Sequence, residues 1–388
     1  QQLALKKYHR SLLESGEYWR QSMTRFNAQN RVDATLISNL RIMRRTLINQ
    51  ISKRCDKSKE IITGVVHALL SRSIFIKYLE ERKDSNGETV FPQDFYCNFM
   101  ESAKWYTDVL NSKEATYNLF LTLKDKFNGD TLQVSEIETE IITQDDLDEL
   151  RTFILGNSEL ESRQLTLWPL YSFDIIPIQL ISSIYELFFH LSDEEDEKGT
   201  YYTPLHLVNL VMDEVYPWEG EYKDISFFDP SCGSGIFLVE AYRRLVCRWM
   251  SQNAVQAITC DRLNLLLKNS IFGVDINEEA IRVASFSLSL AMCDFLDPRS
   301  IWDKLSFPSL LGKNLISSDF FDEDKSFNKE RYDVIVGNPP WQSNITEKTK
   351  EYLKKVNRVI GDKQIAQAFS IKCSELCKQN GIICLLMP

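Results

Sequence analysis

From residue 225 onward, short apolar runs end in the same way. Each meets an acid, a glycine or an amide, and a helix-length stretch then follows. Ile225–Phe228 runs into Asp229-Pro230, Ile271–Ile276 carries Gly273-Val274-Asp275, and Tyr332–Val336 runs into Gly337-Asn338-Pro339-Pro340-Trp341. The helix-length segments between and after them are Ile236–Met250, Glu278–Phe295 and Gln364–Lys378. Asn314–Ser317 reads as a further short strand, and Ile382–Leu386 as the last. This alternation specifies a parallel sheet with crossover helices. Ligands of such sheets bind at the carboxyl ends of strands. The residues in which the runs terminate are therefore the candidate site.

The first half has a different grammar. Residues 1–190 hold three prolines (Pro92, Pro169, Pro177), and Ile61, Ile62, Val65, Val66, Leu69, Leu70, Ile74 and Phe75 recur at helical spacing until Asn86-Gly87. Leu147, Leu150, Phe153 and Ile154 repeat the pattern before Gly156-Asn157, and a second long helix fits Ile178–Leu191. Residues 192–200 are charged and free of apolar side chains, as in a solvated surface loop. The expectation is a mostly helical domain over 1–191 and an α/β domain over 192–388.

Composition removes several function classes. Nine scattered cysteines without a C-x-x-C pair argue against a disulfide framework or zinc finger, and favour reduced thiols in the cytoplasm. Four histidines without H-E-x-x-H disfavour a zinc hydrolase, so no metal is expected. No window approaches ~18 consecutive apolar residues, so no membrane span is expected. The formal charge is −10. Residues 1–60 nevertheless carry thirteen Lys/Arg against five Asp/Glu. A basic arm on an acidic body suits either one DNA-facing surface or a solvated helix.

In the loop Asp229–Leu238, glycines at 233 and 235 let the backbone press against a ligand. The spacing is neither the dinucleotide fingerprint nor a P-loop. A carboxylate beside it would repel a pyrophosphate and suits a ligand with a positive group. Asp275, at the end of the next strand, is placed to accept ribose hydroxyls; the alternative is a helix cap. Asp319-Phe320 has the form of a third contact, an acid for an amine and a ring for stacking. The set Asn338-Pro339-Pro340-Trp341 offers a side-chain acceptor, a carbonyl and a stacking face, which together can grip a planar amino-bearing base. After it come Lys348, Lys350, Lys354, Lys355, Arg358 and Lys363. They read either as a phosphate-facing loop or as an exposed helix.

Residues 60–388 resemble the γ-class of N6-adenine DNA methyltransferases, found as type I modification subunits and in fused restriction–modification polypeptides. The resemblance rests on Asp229-Pro230-Ser231-Cys232-Gly233-Ser234-Gly235-Ile236-Phe237-Leu238, on Asn338–Trp341, and on Gly199-Thr200-Tyr201-Tyr202-Thr203-Pro204 ahead of both. It implies a Rossmann-like S-adenosylmethionine-dependent methyltransferase domain behind the helical one. It implies that S-adenosyl-L-methionine is held by Tyr202, Thr203, Pro204, Asp229, Pro230, Cys232, Gly233 and Gly235, with Thr203, Pro204, Asp229, Gly233 and Gly235 around its methionine part. Asp275 would then hold its ribose, and Asp319 and Phe320 its adenine, with Ile276 a further cofactor contact. Asn338, Pro339, Pro340 and Trp341 would hold a flipped target adenine.

Double-stranded DNA is the implied partner, with specificity, nuclease or translocase subunits or fused domains beside it. A bacterial or archaeal cytoplasm is the implied location, and restriction–modification or phage defence the implied setting. None of the cysteines follows a proline, which agrees with direct transfer rather than a Pro-Cys nucleophile. The two other readings are a protein-glutamine or RNA methyltransferase and a cofactor-sensing DNA-binding subunit with little turnover. The fold should have seven strands, and the chain reaches about the fifth with no target-recognition domain after it, so a longer protein is expected. No nuclease core or helicase P-loop is evident.

Overall fold

The computed structural model describes residues 32–84, 86–128, 132–156, 158–159, 164–165, 203–341, 345–361 and 364–387. The anticipated helix at 178–191, the charged segment 192–200, Tyr202, Lys363 and the boundary at 191/192 lie outside these residues.

The first half is helical where described. Helix α1 spans Val32–Arg54, α2 Lys59–Glu81, α3 Lys113–Phe127, α4 Glu136–Ile141 and α5 Gln144–Leu155. Ser58 starts α2 by accepting from the Ile61 amide. The left-handed Gly156 (φ 62°) ends α5, where the Gly-Asn pair predicted a stop. Ser158–Glu159 pairs antiparallel with Gln164–Leu165.

Helix α2 is long and apolar enough to cross a membrane. Its apolar residues are instead core: Ile62, Val66, Leu69, Leu70, Ile74 and Phe75 are each at most 1 % exposed. The Phe75 ring sits edge-on to Phe127, Phe286 and Phe307 and so ties the helices to the second half. Polar links cross the same seam, from His67 Nδ1 to Glu279 Oε2 (2.9 Å) and from Arg82 Nη2 to the Leu296 carbonyl (3.1 Å). The described helices and one face of the sheet share a continuous apolar core.

The second half alternates as expected. Helix α6 (Leu205–Val215) precedes β1 (Phe227–Asp229); α7 (Ile236–Gln252) and α8 (Cys260–Ser270) lead to β2 (Ile271–Asp275). Helices α9 (Glu278–Cys293) and α10 (Pro298–Lys304) precede β3 (Leu315–Ser317) and β4 (Tyr332–Gly337). Then come α11 (Glu347–Lys355), α12 (Ile365–Leu376) and β5 (Cys377–Leu385). All pairings in this sheet are parallel, in the spatial order β3-β2-β1-β4-β5.

Alternate residues face opposite layers. Phe227, Leu315, Val334 and Val336 join the core shared with the helical half, while Phe228, Val274, Ile316 and Ile335 join a second, aromatic layer under α11 and α12. Both faces are covered, as a parallel sheet requires. This is the Rossmann-like α/β fold.

Strand β5 starts earlier than its apolar run, because Cys377 already pairs with Tyr332 before an irregularity in register near Gly381. The basic stretch after Trp341 includes a helix, α11. Its lysines are partly engaged within the protein: Lys350 with Glu347, Lys355 with Glu323, and Lys348 with Asp322. The basic surplus of the N-terminal segment is likewise partly spent inside, since Arg44 Nε donates to His67 Nε2 (2.8 Å) and Arg54 pairs with Asp146.

Candidate active site

The strand order turns around between β1 and β4. Their carboxyl ends open the crevice in which ligands of this architecture lie. Phe228 is in register with Ile335, so Asp229 and Gly337-Asn338 emerge side by side. Contact there is close: a Cβ on Gly337 would lie 2.5 Å from Asp229 Oδ1 and 3.2 Å from Pro230 Cδ. Only glycine lets the two loops touch. Asp229 is 1 % exposed, and its Oδ1 accepts from the Ser231 amide at 3.0 Å.

The glycine loop is stitched to the neighbouring strand. The Cys232 amide donates to the Val274 carbonyl (3.0 Å), and the Gly233 amide donates to Asp275 Oδ2 (2.9 Å). Asp275 Oδ1 accepts from the Asn277 amide at 2.8 Å. Asp275 is therefore not the cap of α9. Asn277 is, accepting from the amides of Glu279 and Ala280. Burial raises the pKa of Asp275, against the backbone N–H groups of Asn277, Gly233 and Ile276 that favour its charged form. Oδ2 accepts from Gly233 and Oδ1 from Asn277, and a carboxylate oxygen has a second lone pair for a further donor. Gly235 (φ +83°) starts α7 at a point where a Cβ would meet that of Ala284 at 2.9 Å, so the loop turns sharply into a close helix contact.

Two of the anticipated side chains are elsewhere. The Cys232 side chain is 3 % exposed and packs against Gly273, so only its backbone belongs to the loop's outer surface. Phe320 is 3 % exposed, stacked on Phe369 (4.9 Å) and Phe327 (5.9 Å), so its faces are covered and it is core rather than a stacking platform. The exposed apolar side chain at this rim is Ile276, 69 % exposed just past the end of β2. Asp319 is half-buried; Oδ1 accepts from the Phe321 amide (2.8 Å) and Oδ2 from the Thr346 hydroxyl (2.6 Å).

Asn338 carries the most telling geometry. Its Nδ2 donates to Thr203 Oγ1 at 3.1 Å, and Thr203 is 6 % exposed at the start of α6, beside Pro204. Asn338 Oδ1 is buried and has no hydrogen-bond partner among the described residues. An orphaned buried acceptor costs roughly 1–3 kcal/mol and awaits a donor. Pro339 is buried and Pro340 half-buried. The Trp341 Nε1–H donates to the Leu386 carbonyl (3.0 Å), and the Leu386 amide returns to the Gly337 carbonyl (3.0 Å). This clamp from β5 was invisible in the motif itself, because its partner lies forty-five residues on.

The donor set fits S-adenosyl-L-methionine. A buried acid, Asp229, and a half-buried one, Asp275, held by backbone amides, suit a ligand that brings an ammonium, a sulfonium and ribose hydroxyls, and an exposed apolar side chain lies beside them. Among the described residues, no group of His, Cys, Asp and Glu could hold a metal ion.

Comparison with known proteins agrees. Residues 269–388 match the Eco57I restriction-modification methylase family, and residues 216–299 match the DNA-methyltransferase domain of MmeI. The chain is 30% identical over 194 residues to the adenine-specific methyltransferase PglX of Streptomyces coelicolor, covering 41% of this chain and 16% of that protein. It is 24% identical to the type II methyltransferase M.VspI of a Vibrio species (53% of this chain, 41% of that protein). It is also 24% identical to the type II restriction enzyme and methyltransferase RM.Eco57I of Escherichia coli (45% and 22%). The chain thus spans less than half the length of these relatives. The matched segments, in which the glycine loop lies ahead of Asn338–Trp341, are thus similar to methylase domains of restriction–modification enzymes, with S-adenosyl-L-methionine as the cofactor.

Proposed function

We propose that this chain methylates the N6 amine of an adenine flipped out of double-stranded DNA, as the catalytic part of a restriction–modification or phage-defence system. The observation that carries the reading is the buried Oδ1 of Asn338, unpartnered among the described residues, next to a proline whose carbonyl has no competing N–H. Together they would accept both hydrogens of an exocyclic amine. The cofactor, when bound, supplies a methyl group activated by a sulfonium.

The chain's own part is positional. Thr203 orients the Asn338 amide so that its oxygen faces the substrate. Accepting both amine hydrogens favours a pyramidal nitrogen whose lone pair points along the line of transfer. Trp341, held by the Leu386 carbonyl, would stack on the flipped base, returning ~1–3 kcal/mol of a flipping cost of a few kcal/mol. We assign Asp229, Pro230, Gly233 and Gly235, with Thr203 and Pro204, to the methionine end of the cofactor. Asp275 and Ile276 are assigned to the ribose, and Asp319 to the adenine. Residues 1–191 are read as the helical unit carrying this domain, and specificity, nuclease or translocase components as its partners.

The test is tritiated-methyl transfer to DNA, with RNA and protein substrates in parallel, followed by sequencing for N6-methyladenine. Asn338→Ala should lower transfer at least ~10²-fold, as loss of one preorganised group does, while leaving cofactor affinity within about twofold. Equal loss of both, or methylation of protein or RNA alone, would overturn the assignment.

A further inference from the structure

The aromatic layer beneath the sheet holds one charge that the proposed reaction does not use. Lys372, on α12, is 2 % exposed, and its Nζ donates to the carbonyl of Phe320. Four rings surround it: Phe320 at 4.9 Å, Phe327 at 5.4 Å, Tyr352 at 5.5 Å and Phe321 at 5.7 Å. No other cation among the described residues faces more than one ring. Nor does any carboxylate lie within 4.0 Å of it among them.

A lysine is an expensive way to fill an apolar layer. What distinguishes this one is the carbonyl it grips. The Phe320 carbonyl shares a peptide group with the Phe321 amide, which donates to Asp319 Oδ1, while the Thr346 hydroxyl donates to Asp319 Oδ2.

We propose that Lys372 is a positioning residue for the cofactor: its ammonium holds the Phe320–Phe321 peptide, whose N–H bonds Asp319 Oδ1, in the shape that presents Asp319 to the adenine. This rests on the assignment of Asp319 made above. The aromatic faces let the cation stay charged without a counter-ion that would compete with the carbonyl for the ammonium. Around it, Asp319, Asp322 and Glu323 come from the segment after β3, Tyr352 from α11, and Glu375 and Cys373 from α12 itself. Burial lowers the Lys372 ammonium to about 8, against the pull of Glu323, Asp319, Glu375 and Asp322. Burial holds the Tyr352 phenol and the Cys373 thiol above their ordinary ranges, so neither titrates before the lysine. The charge that fixes the loop is therefore lost first as pH rises.

Binding of S-adenosylhomocysteine by calorimetry at about pH 7, together with thermal unfolding, compares the wild type with Lys372→Met and Lys372→Arg in the full chain. Lys372→Met should bind about tenfold more weakly, the loss expected for one charge-assisted hydrogen bond, and Lys372→Arg should recover most of it. The second measurement uses the wild type alone. Affinity for 5′-methylthioadenosine, which has no group titrating in this range, should fall about tenfold between pH ~7 and ~10 with a midpoint near 8. The wild-type profile decides the matter if Lys372→Met fails to fold. Unchanged affinity in a folded Lys372→Met, or a flat wild-type profile, would overturn the proposal while leaving the cofactor site standing. Absence of S-adenosylhomocysteine binding in the wild type would bring down the cofactor site and this proposal together.

Discussion

Replacing Gly337 by alanine tests whether the ends of β1 and β4 really meet. The added methyl would lie 2.5 Å from Asp229 Oδ1 and 3.2 Å from both Asp229 Cγ and Pro230 Cδ. Neither neighbour can withdraw easily. Asp229 is buried and bonded to the Ser231 amide, and a proline ring has no rotamer to change. Overpacking of this kind costs about 1–3 kcal/mol, or a Tm lower by roughly 2–10 °C for a domain of this size. If Asp229 moves aside, a charge-assisted bond to the cofactor is lost as well, which is worth about 1.5–3 kcal/mol, or a ~10- to 150-fold weaker Kd. Thermal unfolding and calorimetric titration with S-adenosylhomocysteine read the two effects separately. Gly361→Ala is the control, since its nearest atom would be Gln367 Nε2 at 3.9 Å. If Gly337→Ala matched the wild type in both Tm and affinity, the strand ends would not be pressed together and the account of the crevice would be wrong.

Other outcomes follow from the same packing. Phe320→Ala should cost about 3–5 kcal/mol in urea unfolding, as removal of a buried ring does; a neutral effect on stability would restore Phe320 to the rim. Arg72 and Glu138 are 0 % and 1 % exposed partners, so Arg72→Met should cost about 3–5 kcal/mol by stranding the carboxylate, with much of that regained when Glu138→Gln is added. A double variant no better than the single one would count against the pairing. Burial lowers the pKa of His67, with Arg44 reinforcing this and Glu279 opposing it. The unfolded chain, whose imidazole titrates near ~6.5, then binds more protons as pH falls below that value, so stability is full above it and declines in acid. His67→Gln should shrink the difference in urea midpoint between about pH 7.5 and 5.5; an undiminished difference would place the acid sensitivity elsewhere.

The order of strands and helices was legible because it is written locally. Apolar runs, the left-handed glycines at 156 and 235, and the prolines after Asn338 constrain the backbone whatever surrounds them. So was the place of the glycine loop, Asp275 and Asn338–Trp341 at the rim, since each sits in or directly beyond its own strand end. The parts that were misread or missed depend on partners distant in sequence. Phe320 looks like a stacking ring until Phe369 and Phe327 close over it, and the lysines after Trp341 stay open between a phosphate-facing loop and an exposed helix until α11 pairs several of them with acids. The Asn338 amide takes its orientation from Thr203, one hundred and thirty-five residues earlier, and Trp341 is anchored by Leu386. Local residue order therefore determined which chemical groups reach the rim. Tertiary packing alone decided which way they point, because the hydrogen-bond partner or covering ring that sets each direction comes from another part of the chain.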